Sequence, residues 1–298
     1  DFSYEKPNVL RKLFLNHQQR TDFCYNRNMT KKLIALDLDG TLLRPDGTIS
    51  EFTQKTIKDV QNKGHQVVIA TGRPYRMAID HYKTLGLETP LITFNGSLTN
   101  LPDQDWAYEH SVKLDKKYLI SLLQRHDELE MDFLASEYRK HFYITMNHPE
   151  RIQPQLFGVD KIIEAMRLEP TKITRNPNAL LMQTRHEDKY QLADDIKKDF
   201  KEEIEVDSWG GPLNILEFSP KGINKAYALN YLLKAMRKST DDLIAFGDEH
   251  NDTEMLELAK TGYAMKNASS VLLPHANEQI EWTNEEDGVA RKLQELFL

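Results

Sequence analysis

The chain has 298 residues, 40% of them hydrophobic, and its 39 basic and 46 acidic side chains give a formal net charge of −7. This balance disfavours nucleic acid and anionic membranes as partners, and no apolar run approaches the ~18 residues of a membrane span. The single cysteine, Cys24, excludes an intrachain disulfide and fits a reducing compartment, so we predict a cytoplasmic protein.

Residues 1–28 show no regular spacing of apolar residues, and a clear strand pattern begins only after Met29. We therefore expect an N-terminal extension that is disordered. A short surface helix over residues 9–15 explains the local sequence equally well.

The next part of the chain alternates between strand and helix patterns. Apolar runs at 33–38, 67–70 and 90–94 predict three strands that are buried on both faces. Ser50 is a favourable N-cap for a helix between the first two strands, and a second helix is predicted over 75–85. This alternation predicts right-handed crossovers and a parallel sheet.

The middle of the chain, residues 112–213, has a different pattern. Two helices are predicted over 115–126 and 187–201, and short strands are predicted near 131–134, 141–146, 180–183 and 204–207. The α/β pattern then returns, with helices predicted over 224–236 and 253–259 around a strand in DLIAFGD. We therefore predict an α/β fold with a Rossmann-like parallel-sheet core formed by 29–111 and 214–298. An α+β cap domain at 112–213 is inserted into this core.

Polar residues follow three of the predicted parallel strands. They are Asp37 and Asp39, then Thr71, and finally Asp248, Asn251 and Asp252 in GDEHND. The carboxyl ends of parallel strands form the edge where open α/β sheets bind ligands. Two adjacent carboxylates repel each other unless a cation lies between them or one is protonated. With Asp248 and Asp252, the first pair could form an oxygen site suited to Mg²⁺.

Each of these features also has an ordinary structural explanation. Asp-x-Asp and Thr-Gly are common in turns, GDEHND could cap a helix, and Lys221 and Lys225 could be solvated lysines at a helix start. Acidic, hydroxyl, lysine and acidic groups nevertheless occur in this chain order, each at a strand end or a helix start. Turn chemistry alone does not explain that combination.

Four segments resemble the motifs of haloacid dehalogenase-superfamily phosphatases: LDLDGTLL, VVIATGRPY, SPKGINKAYAL and FGDEHNDTEML. The C-terminal segment from AMKNASS to EEDGVARKL is similar to the Cof-type, class IIB branch of sugar-phosphate phosphatases. The resemblance covers about residues 31–298 and leaves out 1–28.

The resemblance implies catalytic roles for Asp37, Asp39 and Lys225. Asp37 would attack phosphorus and form an aspartyl-phosphate, and Asp39 would protonate the leaving alcohol and then activate water. Lys225 would offset charge on the transferring phosphoryl group. Lys221 is the alternative for this lysine, and Ala226 stands where relatives usually have glycine.

The resemblance also implies two sets of binding residues. The phosphate-binding set is Thr71, Gly72, Lys225 and Asn251. The Mg²⁺-binding set is Asp37, Asp39, Asp248 and Asp252. In the second set, Asp39 would contribute its backbone carbonyl, and Asp252 would orient the water on the metal or the lysine.

The inserted cap would then act as a lid that controls access of water and selects the substrate. The candidate substrate residues are Arg73, Asn95, Tyr138, Arg139 and His141. The last three belong to a polar and aromatic cluster that could face the site, although a strand with one solvated side explains the cluster equally well. A salt bridge at the sheet edge would likewise explain Arg73.

We therefore expect a Mg²⁺-dependent phosphatase that hydrolyses small phosphomonoesters, in particular sugar phosphates, with a phosphorylated metabolite as its partner. A phosphomutase of the same fold and a non-catalytic phospho-ligand-binding regulatory module are the alternatives. The presence of Asp37, Asp39, Lys225 and Asp248 disfavours a pure binding module, because binding requires no nucleophile beside an acid.

Overall fold

The computed structural model describes residues 31–209 and 211–298, so the predicted extension at 1–28 lies outside the described residues. The strands are β1 (Leu33–Leu36), β2 (Gln66–Ile69), β3 (Leu91–Thr93), β4 (Leu98–Asn100), β5 (His110–Ser111), β6 (Met131–Tyr138), β7 (His141–Ile144), β8 (Ala179–Thr184), β9 (Ile204–Ser208), β10 (Ile215–Pro220), β11 (Leu243–Gly247), β12 (Thr261–Ala264) and β13 (Glu278–Gln279). The helices of six or more residues are α1 (Glu51–Asn62), α2 (Tyr75–Thr84), α3 (Lys116–Gln124), α4 (Lys189–Asp199), α5 (Lys225–Ala235), α6 (Thr253–Leu258) and α7 (Gly288–Phe297). In the part of the chain that the structure describes, no helix is long and apolar enough to cross a membrane.

The first sheet is parallel throughout, in the order β13-β12-β11-β1-β2. A single parallel bridge between Ala70 and Ile92 brings β3 alongside β2. Strand β1 lies between β11 and β2, and all four of its residues are buried. The continuous apolar run that predicted this strand therefore reflects burial on both faces.

Helices cover both faces of the parallel sheet. One hydrophobic cluster joins the sheet to α1, α2 and α7, and a second joins it to α5 and α6. Helix α1 shows how the sequence sets these elements: the Ser50 hydroxyl accepts a hydrogen bond from the Thr53 N–H, and Ile57 and Val60 are fully buried. The chain leaves this helix at Gly64, whose φ of +88° favours glycine.

The second sheet is antiparallel, in the order β7-β6-β8-β10-β9, and belongs to the inserted part of the chain. Helices α3 and α4 pack on one face through a hydrophobic cluster that includes Leu119, Ile196 and Phe218. The other face is partly covered by the segment that contains Phe157. The architecture is thus a Rossmann-like parallel core with an inserted α+β cap, as the sequence predicted.

The second sheet extends beyond the predicted end of the cap at residue 213. Strand β10 pairs with β8 and β9, and its side chains Leu216 and Phe218 are buried in the hydrophobic cluster under α3 and α4. This pairing is not visible in the local sequence, because an apolar strand can belong to either sheet. We therefore propose that the cap ends after Pro220 rather than at 213.

Candidate active site

The carboxyl end of the parallel sheet brings the predicted residues together. Asp37 follows β1, and its N–H donates to the Phe246 carbonyl on β11 at 3.2 Å. The turn after it requires Gly40, which has a φ of +72° and lies so close to the Asp248 carboxylate that a Cβ atom would clash. The glycine therefore lets the first motif approach the acidic motif that follows β11.

Lys225 lies in the first turn of α5 and is completely buried. Its Nζ atom donates to Asp37 Oδ1 at 2.6 Å and to Asp252 Oδ1 at 2.7 Å. Burial alone would lower the pKa of Lys225, but the negative charges of Asp252 and Asp37 raise it above its usual value. The lysine therefore remains a cation between two carboxylates.

Three carboxylates, those of Asp37, Asp248 and Asp252, each offer an oxygen within 4.8 Å of the others. Burial raises the pKa of Asp248 to about 7, although the Thr41 hydroxyl donates to its Oδ1 at 2.8 Å. Burial also holds the pKa of Asp37 well above its usual range, against the opposing charge of Lys225. The single positive charge of Lys225 cannot balance the negative charges of three carboxylates. The group therefore fits a hard divalent cation that accepts oxygen ligands.

We expect Lys225→Met to destabilise the protein when no divalent cation is present. The substitution leaves Asp37 and Asp252 buried without their shared cation, and breaking a buried pair in this way costs about 3–5 kcal/mol. Addition of Mg²⁺ should recover part of the loss. Chemical unfolding in EDTA and in Mg²⁺ measures both effects.

Lys221→Met is the matched control, because this lysine is exposed and its one hydrogen bond within the described residues is to the Glu202 carbonyl, at 2.6 Å. Equal stability of the two variants in EDTA would contradict the role given to Lys225. The same position also argues against Lys221 as the alternative site lysine.

Asp39 lies outside the group of three carboxylates. Its two oxygens accept hydrogen bonds from Arg73, with the Nε atom at 2.8 Å and an Nη atom at 2.6 Å, and its side chain is 60% exposed. Arg73 also lies 3.2 Å from His81 Nε2. The predicted salt bridge of Arg73 is therefore present, and it is made with the predicted acid–base residue.

The residues predicted to bind phosphate line the same edge. Thr71 is buried, and its hydroxyl accepts the Arg73 N–H at 3.1 Å. The Asn251 side-chain amide donates to Asn95 Oδ1 at 3.1 Å. Phe94 and Asn95 have φ values of +52° and +51°, a conformation that non-glycine residues rarely adopt and that often marks functional sites.

The structure does not bring Tyr138, Arg139 and His141 into the cavity between cap and core. They lie at the turn between β6 and β7, where Arg139 pairs with Glu109. Tyr138 packs beneath the cationic group of Lys113, 5.3 Å from its ring centre, and His141 is exposed. Arg139 and Tyr138 thus have structural partners, and the predicted role of all three residues in substrate binding gains no support.

Other residues line the cavity between cap and core. It has a volume of about 30 Å³ and lies between the loop at Gly72 and the cap sheet. Its lining includes Glu137 and Glu217 from the cap, together with Trp209. Sequence reasoning missed them. The available signal was the position of Glu217 within the apolar strand ILEFSP, on the face opposite to Leu216 and Phe218.

Known proteins resemble the chain over most of its length. A family model described as haloacid dehalogenase-like hydrolase matches residues 34–293. The 5-amino-6-(5-phospho-D-ribitylamino)uracil phosphatase YitU of Bacillus subtilis is 35% identical over 279 residues, which cover 89% of this chain and 97% of that protein. The pyridoxal phosphate phosphatase YbhA of Escherichia coli is 28% identical over 264 residues, which cover 84% of this chain and 93% of that protein.

A solved structure extends this similarity to the fold. A haloacid dehalogenase-like hydrolase from Bacteroides thetaiotaomicron has a TM-score of 0.76 and 25% sequence identity, over 90% of this chain and all of that one (100%). The match therefore includes the inserted cap as well as the parallel core.

Proposed function

The chain belongs to the haloacid dehalogenase-like hydrolase family, as its motifs predicted, and on that premise we propose a Mg²⁺-dependent phosphatase for small phosphomonoesters, in particular sugar phosphates. The observation that carries the proposal is the buried Asp37 carboxylate, held by Lys225 at 2.6 Å beside the Asp248 carboxylate. A carboxylate in this position can accept a phosphoryl group. The name of the Bacillus relative describes a substrate with a phosphorylated ribityl chain, which supports a polyol or sugar phosphate here.

Asp37 is the proposed nucleophile. The oxygen that is not bonded to Lys225 forms the new bond to phosphorus while the bond between phosphorus and the ester oxygen breaks. The leaving alcohol takes a proton from Asp39. Water then attacks the aspartyl-phosphate, Asp39 accepts a proton from that water, and orthophosphate leaves with the Asp37 carboxylate restored.

Asp39 must change partners to perform these proton transfers. Both of its oxygens are bonded to Arg73 in this conformation, so at least one of the two bonds has to break before the carboxyl can reach a leaving group. The exposure of the Asp39 side chain leaves it free to turn. We therefore assign Arg73 the role of holding the acid–base residue between turnovers.

Asp37, the Asp39 carbonyl and Asp248 are the groups proposed to hold Mg²⁺, and Asp252 lies behind them. The Asp252 Oδ2 atom accepts the N–H groups of Asp248 and Glu249 at 2.9 and 3.2 Å, which orients the acidic loop. When bound, the cation would supply positive charge opposite the phosphoryl oxygens. Thr71, Gly72 and Asn251 are the proposed contacts for the remaining phosphate oxygens.

The cap is proposed to act as a lid. Arg76 on α2 donates to both oxygens of Glu137 on β6, at 2.6 and 2.8 Å, and this ion pair holds the cap against the core. The cavity between cap and core lies beside this ion pair, and Glu137 forms part of its lining. We propose that breaking this ion pair lets the cap and the core move apart and admits the organic part of the substrate.

The test is hydrolysis of p-nitrophenyl phosphate with and without EDTA. We expect turnover in Mg²⁺, loss of at least about 100-fold in EDTA, and recovery when Mg²⁺ is restored, because the carboxylates repel the phosphate without a cation. Activity that persists in metal-free protein would contradict the metal requirement. Transfer of phosphate to a second sugar, without release of orthophosphate, would favour the phosphomutase.

A further inference from the structure

Two carboxyl groups face the cavity between cap and core, and they differ in their partners. Glu137 is neutralised by the two hydrogen bonds from Arg76. Glu217 accepts hydrogen bonds only from neutral groups: the Trp209 Nε1 atom at 2.9 Å and the Asn95 Nδ2 atom at 3.4 Å. Among the described residues, no cation forms an ion pair with it. The cavity therefore contains one carboxyl whose charge the protein does not compensate.

Glu217 also has capacity to accept a further hydrogen bond. Its Oε1 atom has one long contact, to Asn95, whereas an ionised carboxylate can accept about four hydrogen bonds in total. Burial raises the pKa of Glu217 to about 7, against the opposing effect of the hydrogen bonds from Trp209 and Asn95. A ligand group that donates a hydrogen bond would complete the site.

The tryptophan that donates to Glu217 is itself held by a buried lysine. Lys189 is buried, and its Nζ atom donates to the carbonyls of Trp209, Gly211 and Leu213 at 2.7, 2.9 and 2.9 Å. The first of these bonds holds the backbone of Trp209, whose side-chain N–H donates to Glu217. Glu217 is therefore presented to the cavity as a hydrogen-bond acceptor by neutral donors on both the cap and the core.

The acceptor site is connected to the proposed phosphate site. Asn251 donates to Asn95 Oδ1 at 3.1 Å, and Asn95 in turn donates from its Nδ2 atom to Glu217. Because Asn95 belongs to the core and Glu217 to the cap, this short chain crosses the boundary between them. A substrate whose phosphate contacts Asn251 would therefore place its organic part near Glu217.

We infer that Glu217 is a specificity residue that accepts a hydrogen bond from a hydroxyl or amino group on the organic part of the substrate. The inference rests on the proposed phosphatase function and deepens it: the favoured substrates are phosphomonoesters that carry such donors, and alkyl phosphates are disfavoured. An alkyl phosphate offers no hydrogen-bond donor to Glu217, so its binding leaves this acceptor unpaired. The cost of that unpaired acceptor lowers the affinity for alkyl esters relative to esters that carry a donor.

The test compares Glu217→Gln with the wild type on esters that carry donors and on one that does not. The probes are D-ribitol 5-phosphate, D-glucose 6-phosphate and D-glucosamine 6-phosphate, against n-pentyl phosphate. We expect the wild type to prefer at least one donor-bearing ester, and Glu217→Gln to reduce that ratio of kcat/KM values about 10- to 100-fold. This range is the value of a hydrogen bond to a charged group.

Glu205→Gln is the matched control, because it makes the same change on the neighbouring strand β9, where the carboxylate pairs with Lys197 outside the cavity. It should leave the ratio unchanged. If Glu217→Gln does not fold, Trp209→Phe removes the N–H that orients Glu217 and should lower the same ratio by a smaller factor.

The outcomes separate this inference from the proposed function. If the wild type hydrolyses none of the esters and no p-nitrophenyl phosphate, the proposed function fails and the inference fails with it. Hydrolysis without preference for any donor-bearing ester would overturn the inference alone. The same conclusion would follow if Glu217→Gln and Glu205→Gln retained the wild-type ratio.

Discussion

Asp37→Asn should abolish turnover of every phosphomonoester, with kcat reduced by at least about 10⁴-fold, while the protein stays folded. The amide has nearly the same volume as the carboxylate and can still accept a hydrogen bond from Lys225, but it cannot form an acyl-phosphate by direct attack. Removal of one of three clustered negative charges also relieves repulsion. Orthophosphate release and a thermal unfolding curve together measure the two effects.

Asp59→Asn provides the matched control for this substitution. Asp59 lies on α1, forms an exposed ion pair with Lys55 and is remote from the carboxylate cluster. It should retain wild-type turnover. Activity above a few per cent of the wild type in a clean preparation of Asp37→Asn would rule out Asp37 as the nucleophile.

Asp39→Asn should slow the cleavage of alkyl phosphates far more than that of p-nitrophenyl phosphate. An alkoxide requires a proton as it leaves, and general acid catalysis is worth roughly 10²–10⁴-fold, whereas p-nitrophenolate leaves without one. Steady-state rates would mix this effect with the activation of water, which uses the same carboxyl. Single-turnover phosphorylation of the protein by each substrate isolates the first step.

Arg73→Gln separates proton transfer from loss of the ion pair. This variant breaks both hydrogen bonds to Asp39 but retains the carboxyl group. It should not reproduce the dependence on the leaving group, whatever its effect on the overall rate. Equal losses for both substrates in Asp39→Asn, or the same selective loss in Arg73→Gln, would remove Asp39 from the role of general acid.

The core of the site was predictable because its geometry follows from the order of the chain. Asp37 and Asp248 each follow an apolar strand of a parallel sheet, and such strands end at one edge. Lys225 begins the helix that packs beside them. In these cases a local pattern of few residues determines which side chains meet.

The contacts of the cap were not predictable in the same way. Glu217 reaches the cavity because β10 pairs with β8 in a particular register, so that Glu217 lies opposite Leu181. A shift of this register by one residue would turn the side chain to the other face. Arg139 is the reverse case, a residue that was predicted to contact substrate and instead pairs with Glu109. Its partner is 30 positions away along the chain, and no local pattern links the two residues.

The insertion of the cap between two halves of one sheet also determines when that sheet can be completed. Strand β1 pairs on one side with β2, where Leu33 lies beside Gln66, and on the other side with β11, where Leu33 lies beside Leu243. A ribosome that synthesises the chain from its N-terminus therefore supplies the second neighbour only after the whole cap has emerged. The strands of the cap pair with partners closer along the chain than β11 is to β1. The cap can therefore fold first, while one edge of β1 still lacks its neighbouring strand. Strand β1, the first of the described strands to be synthesised, is thus among the last of them to gain both of its neighbours.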